Sequence, residues 1–197
     1  MARGYAAVTL RDIASSVGIK HTSLYHHVPG GKEELFVEVF ERGLERHRTG
    51  LRRSVDQAAP GLRTRLYAVS DWFLTQSPMD LVRMTQSDMP ALSVAAAMRL
   101  ERLVYESILV PVESILTEAH RAGEIPEREF GLIAGGLVGM VQSLFAVPEY
   151  AIPSTRCDMG RRLMDVFIDG IAGGRDHSPS ASARATTPTD PTTTRNG

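Results

Sequence analysis

The stretch GIKHTSLYHHVPGGKEEL, from Gly18 to Leu35, packs two lysines, three histidines and a tyrosine into one short helix and the turn after it. Lys20, His21, Thr22, Ser23, Tyr25, His26 and His27 all carry hydrogen-bond donors, and no acid stands among them. No nucleophile is set beside a supported base here, so covalent or acid–base catalysis is not the chemistry on offer. Recognition of an acidic polymer is, because these side chains donate to phosphate oxygens and to base edges. His26 and His27 are adjacent and on a helix point to different faces, which disfavours metal chelation.

Such a face needs a helix beneath it, and the neighbouring residues supply one. Thr9 opens a short helix, with Asp12 three positions on as its capping-box partner. Leu10, Ile13, Ala14 and Val17 form its expected apolar side, and Gly18 ends it. A second helix begins within about three residues and runs to Val28, where Pro29-Gly30-Gly31 stops it. Leu24 and Val28 turn inward, opposite the polar face. Two short helices joined by a tight glycine turn are the ingredients of a helix-turn-helix, whose second helix enters the major groove.

The remaining chain also reads as helical, with no convincing strand alternation. A helix from Lys32 to about Arg53 carries Leu35, Phe36, Val39, Phe40 and Leu44 at helical spacing, with Glu33 and Glu34 where the dipole favours them. Leu62, Leu66, Val69 and Phe73 mark the next, which Ser77-Pro78 ends. A short helix over residues 80–88 follows. A long one over residues 93–122 comes next, kinked at Pro111 because proline lacks the backbone donor. Two more cover residues 126–147 and 157–172. The expectation is an all-α fold of about eight helices: residues 1–53 as a helix-turn-helix DNA-binding domain with its connecting helix, residues 54–174 as a helical ligand-binding and dimerisation domain. The Ser-, Thr- and Pro-rich residues 175–197 are expected to be a disordered tail.

Composition limits the alternatives. The 197 residues carry a net charge of −1, so any attraction for nucleic acid must be local. From Met1 to Arg53 nine basic residues face six acids, a surplus of three in a chain that is negative overall. The single cysteine, Cys157, excludes an internal disulfide and a cysteine metal site, and fits a cytoplasmic protein. Residues 130–148 contain no charge, but four glycines, Gln142 and Ser143 suit a buried helix better than a lipid-facing one. No phosphate loop, metal cluster or catalytic pairing stands out. An enzyme is therefore not expected, and no cofactor or metal is called for.

The motifs Gly4-Tyr5, Thr9-Leu10-Arg11-Asp12-Ile13-Ala14, Val17-Gly18-Ile19, Leu24-Tyr25-His26-His27 and Gly31-Lys32-Glu33-Glu34-Leu35 together resemble the DNA-binding domain of the TetR family of bacterial transcriptional regulators. The resemblance spans residues 4–44. It implies that Lys20, His21, Thr22, Ser23 and His26 contact bases or phosphates and that Tyr25 and His27 grip phosphate. It also implies that Lys32, at a helix N-terminus, helps to hold a phosphate, with Arg11 reaching the DNA backbone. In that family a helix of about a dozen residues precedes the Gly-Tyr pair, whereas here only Met1, Ala2 and Arg3 do. Either the start lies upstream or the domain is trimmed, and part of the apolar face of the short helices is expected to lie open.

Further expectations concern the C-terminal part. Gly131, Gly135, Gly139 and Ser143 form a row of small residues that lets another backbone approach; with Leu163 and Phe167 they are the expected homodimer interface, the arrangement that the resemblance implies. A two-fold dimer presents its recognition helices about 34–36 Å apart, or a multiple of that, to palindromic operator DNA. Tyr67, Trp72, Phe73, Met79, Met84, Met89, Met98 and Tyr105 are the expected lining of a pocket for a small apolar or aromatic effector, the methionines being adaptable fillers. The function that follows is a ligand-responsive repressor. Its rival is a ligand-binding or interaction protein that no longer reads DNA.

Overall fold

The computed structural model describes residues 4–76, 81, 84–152 and 154–173. Among them there is no strand, and most lie in helices. A 3-10 turn over Tyr5–Ala7 leads into α1 (Leu10–Ser16), α2 (His21–His27), α3 (Gly31–Gln57) and α4 (Leu62–Thr75). A π-turn (Met84–Asp88) and a 3-10 turn (Met89–Ala91) precede α5 (Val94–Val104). A second π-turn (Tyr105–Leu109) then leads to α6 (Val110–Arg121), α7 (Phe130–Ser143) and α8 (Arg156–Gly173).

The start of α1 forms as its sequence requires. Thr9 Oγ1 accepts from the Asp12 amide at 3.2 Å, and Asp12 Oδ2 accepts from the Thr9 amide at 2.9 Å, so the capping box is closed in both directions. Gly18, at φ 71°, makes the left-handed step that ends α1, and the Ile19 amide donates back to the Ala14 carbonyl at 3.0 Å. Leu10, Ala14, Leu24 and Val28 are buried together, with Ile13 and Leu35 packed on them. Val17 departs from the expected inward face. As the C-cap of α1 it leaves helical geometry, and it is 61% exposed.

Helix α3 is the longest element, 27 residues or about 40 Å. Its first half touches two small clusters: Leu35 joins the α1–α2 core, while Phe36, Val37 and Phe40 pack on Met84, Met89 and Leu100. Its second half enters the main core through Leu44 and Leu51, beside residues of α4, α6, α7 and α8. Two glycines allow close approach there. A Cβ at Gly50 would overlap the Trp72 indole, and one at Gly160 would overlap Ser70 and Leu74, so α3 meets α4 and α4 meets α8 at nearly backbone distance. Polar contacts of Arg63 with Asp165 and Asp169, of Tyr67 with Asp165 and of Arg161 with Asp71 reinforce the α4–α8 pair along its outer edge.

The long helix expected over residues 93–122 is interrupted as proline chemistry demands. Pro111 sits in the first turn of α6, and the π-turn Tyr105–Leu109 immediately before it absorbs the break. The uncharged segment is α7, 14 residues long, followed by a 3-10 turn. Among the described residues no helix is long and apolar enough to cross a membrane. The expected tail, residues 175–197, lies outside the described residues.

Candidate nucleic-acid interface

Helix α2 is seated by Leu24 and Val28, which are 7% and 3% exposed, and this fixes which side chains face outward. Lys20, Thr22, Tyr25, His26 and His27 are exposed; His21 and Ser23 are half-buried. Tyr25 stands 47% exposed with its ring edge-on to His21 at 4.9 Å, so the phenol is aimed rather than free to sweep. Arg11 is exposed on α1. The face contains no acid, and its cation and hydroxyl, phenol and imidazole donors project from one short helix, the arrangement that fits phosphates and base edges.

Lys32 is placed differently from the rest. Its ammonium donates to the Tyr5 carbonyl at 3.0 Å and lies 4.1 Å from the centroid of the Tyr5 ring. One of its three donors is thereby used within the protein, and the side chain is half-buried. At the start of α3 the Gly30 amide donates to Glu34 Oε2 at 2.6 Å, so a carboxylate of the protein already occupies part of the place a phosphate would take.

Three contacts tie this N-terminal part to the segment that leads into α5. The Tyr5 amide donates to Asp88 Oδ1 at 2.8 Å. Glu33 accepts from the Ser93 amide at 2.9 Å and from its hydroxyl at 2.6 Å, and these bonds, the hydroxyl first, hold its carboxyl below the usual carboxylate range. Glu41 pairs with Arg99 of α5. None of the three was expected from the sequence, because the partners are 58 to 83 positions apart and no local spacing marks them. Beside them Val8, Ile13, Leu35, Phe36 and Val39 border an open apolar recess of about 290 Å³.

The residues expected to line an effector pocket do not converge. Phe73 is buried in the main core and Tyr67 bonds Asp165 at its edge. Trp72 Nε1 donates to His47. Met84 and Met89 are fully packed against Leu100 in a separate cluster. Met98 and Tyr105 are 64% and 47% exposed, because Leu100, Leu103 and Val104 take the inward face of α5 and turn these two outward. Met79 lies outside the described residues. Met98 borders instead an open groove between α3 and α5 with Glu41, Glu45, Arg99 and Arg102.

The small-residue row of α7 is only partly outward. Gly131 faces the Glu113 carboxylate, Gly135 is half-buried, and Gly139 and Ser143 are exposed. Leu163 and Phe167 are half-buried against the core. The outward positions are Leu132, Gly136, Gly139 and Ser143 on α7 and Val166 and Gly170 on α8, with Leu132 and Val166 72% and 73% exposed.

Residues 1–39 match the family model described as bacterial regulatory proteins, tetR family. A comparison with curated proteins gave no match. Among solved structures, the chain is similar to the TetR family transcriptional regulator PfmR from Thermus thermophilus, with 22% identity, a TM-score of 0.65, and coverage of 85% of this chain and 91% of that one. It is similar to the ketosteroid transcriptional regulator KstR2 of Mycobacterium tuberculosis, with 22% identity, a TM-score of 0.64, and coverage of 86% and 87%. It is also similar to AibR in complex with isovaleryl coenzyme A and operator DNA, with 16% identity, a TM-score of 0.66, and coverage of 86% and 90%. Those likenesses extend the shared fold well beyond the matched segment. Residues 1–39 thus carry the match to the tetR family of bacterial regulatory proteins, and the fold of the chain as a whole is one that it shares with solved regulators of that family.

Proposed function

We propose that the chain is a ligand-responsive repressor that binds palindromic operator DNA as a homodimer in the cytoplasm and is released by a small apolar or aromatic effector. The observation that carries this reading is the acid-free outward face of α2, with Lys20, Thr22, Tyr25, His26 and His27 projecting from a helix whose other side is anchored by Leu24 and Val28. The outward apolar and glycine positions of α7 and α8 support the homodimer: a second copy would cover Leu132 and Val166, which are otherwise left in water. The solved AibR complex holds both an acyl coenzyme A and operator DNA, which supports an effector with an apolar acyl or aromatic part. The ties Tyr5–Asp88, Glu33–Ser93 and Glu41–Arg99 give such an effector a route to the DNA-binding helices: binding that moves the residues leading into α5 would move α1 and α3 with them. The effector acts only to the extent that it prefers one of the two arrangements.

The test is fluorescence anisotropy on DNA from upstream of the protein's own gene, with excess nonspecific competitor. Saturable, competitor-resistant binding by the wild type, lost in a folded Lys20→Ala, Tyr25→Ala, His26→Ala triple variant, is the expected result. Equal behaviour of the two proteins would overturn the assignment of α2 as the reading helix and favour a ligand-binding protein that does not read DNA.

A further inference from the structure

His47 lies near the middle of α3 and is 7% exposed. Its Nδ1 accepts from Trp72 Nε1 of α4 at 3.3 Å, and its ring stacks on Phe73, with centroids 5.7 Å apart and an interplanar angle of 28°. One turn along, Gly50 receives the Trp72 indole against the α3 backbone. This small set is the joint between the long helix that carries the DNA-binding end and the helix that carries α8. We propose that His47 is a proton-operated lock on this joint: neutral, it accepts the Trp72 indole N–H and holds α3 against α4; protonated, it releases Trp72 and lets the two helices part.

The reason is the direction of one hydrogen bond. An indole nitrogen only donates, so Nδ1 must be the bare nitrogen and the ring proton must sit on Nε2. Adding a proton to Nδ1 sets two N–H groups against each other and places a positive charge among Leu44, Leu51 and Phe73. Among the described residues no carboxylate bears on the ring to compensate. The cations are on the same helix: Arg46, which bears on the ring, and Arg48, which is held by Glu45 and feels Glu106 of the π-turn. On α4 Asp71 is engaged by Arg161, on α5 Arg99 pairs with Glu41, and α6 presents Val112, Ile115 and Leu116 to the core. Burial, and then Arg46, lower the affinity of the ring for a proton. The ring's contribution is therefore complete above its ordinary value of 6.5 and is lost as the pH falls through the lower value it has in the folded protein.

Trp72 is the only tryptophan, so its emission reports on this joint alone. The experiment compares the full-length wild type with His47→Asn, which keeps an acceptor near the Nδ1 position and does not titrate, at about pH 7.5 and about pH 5. For the wild type the expected result is a red shift of the emission maximum and a rise of about two-fold in quenching by acrylamide at the lower pH. For His47→Asn neither should change. No rise in the wild type, or an equal rise in both proteins, overturns the proposal. If His47→Asn does not fold, hydrogen exchange of the wild type decides: corrected for intrinsic rates, protection must fall at residues 47–51 and 69–73 on acidification while residues 10–28 keep theirs. A uniform loss overturns the proposal.

Discussion

The carboxylate of Glu33, at the first turn of α3, accepts from both the amide and the hydroxyl of Ser93, sixty positions along the chain and just before α5. The same Ser93 hydroxyl accepts from the Ala96 amide at 3.3 Å and so caps α5. One short relay therefore joins the beginnings of two helices, one adjoining the α2 face proposed to read DNA and one leading into the C-terminal core.

Breaking that relay should alter communication more than folding. Ser93→Ala removes the hydroxyl and the cap, a change that costs about 1 kcal/mol where caps have been measured. The expected outcome is a modest fall in melting temperature and an operator affinity that responds less to effector. A titration of operator with and without effector checks this.

The relay also fixes a pH dependence. Hydrogen bonds from Ser93 hold the Glu33 carboxyl below its usual range. The stabilisation is therefore full above about pH 4.5 and is lost as the pH falls through the depressed value. Melting curves of wild type and Glu33→Gln should differ at neutral pH and converge in acid; a gap that persists in acid would show that the ionised carboxylate is not what holds Ser93.

Salt dependence separates α2 contacts of different kinds. Lys20→Ala is expected to lower operator affinity across sequences and to reduce the salt slope by about one, because it removes a cation from the face. Thr22→Ala, if Thr22 meets a base edge, should leave the slope intact and relax the preference at one operator position by about 1–3 kcal/mol. Anisotropy over a salt series on matched and mutated operators distinguishes them.

The small N-terminal cluster leaves little reserve. It contains four buried residues, and Leu24 is the one on α2 that faces Leu10 and Ala14. Leu24→Ala is expected to cost about 2–5 kcal/mol and to abolish DNA binding while the C-terminal core stays folded. Circular dichroism beside DNA titration checks it. Gly50→Ala addresses the other core: a methyl there collides with Trp72, and a loss of about 1–3 kcal/mol is expected from melting curves.

Subunit association has its own probe. Leu132→Asp and Val166→Asp place charges on outward positions that are 72% and 73% exposed. If those faces join two copies, sedimentation should show dimers for the wild type and monomers for the variants, with helicity unchanged. Dimeric variants would move the interface elsewhere.

Much of the N-terminal part was legible because its signals are local. Thr9, Asp12, Gly18 and Pro29 set the ends of α1 and α2, and the inward positions Leu10, Ala14, Leu24 and Val28 followed from helical period alone. Val17 was misread because period says nothing about a residue that leaves the helix as its cap. Whether the expected effector lining would converge was not legible for a different reason: a Met or aromatic in a helix can face inward or outward, and Met98 and Tyr105 turn out because Leu100 and Val104 turn in. The roles of Tyr5, Glu33 and His47 were not legible, since their partners Asp88, Ser93 and Trp72 are distant in sequence and ordinary in type.

The unbroken length of α3 has a mechanical consequence. Because one rigid rod of about 40 Å enters both the α1–α2 cluster and the main core, the two ends cannot swing independently as they would about a flexible linker. Motion must take the form of tilt, and leverage magnifies it: a tilt of about 5° at the core end displaces the far end by about 3.5 Å. In a two-fold dimer the two displacements would add or oppose each other across the symmetry axis, against a major groove only about 12 Å wide. A small repacking deep in the C-terminal helices is thus geometrically sufficient to put a pair of reading helices out of step with successive turns of DNA.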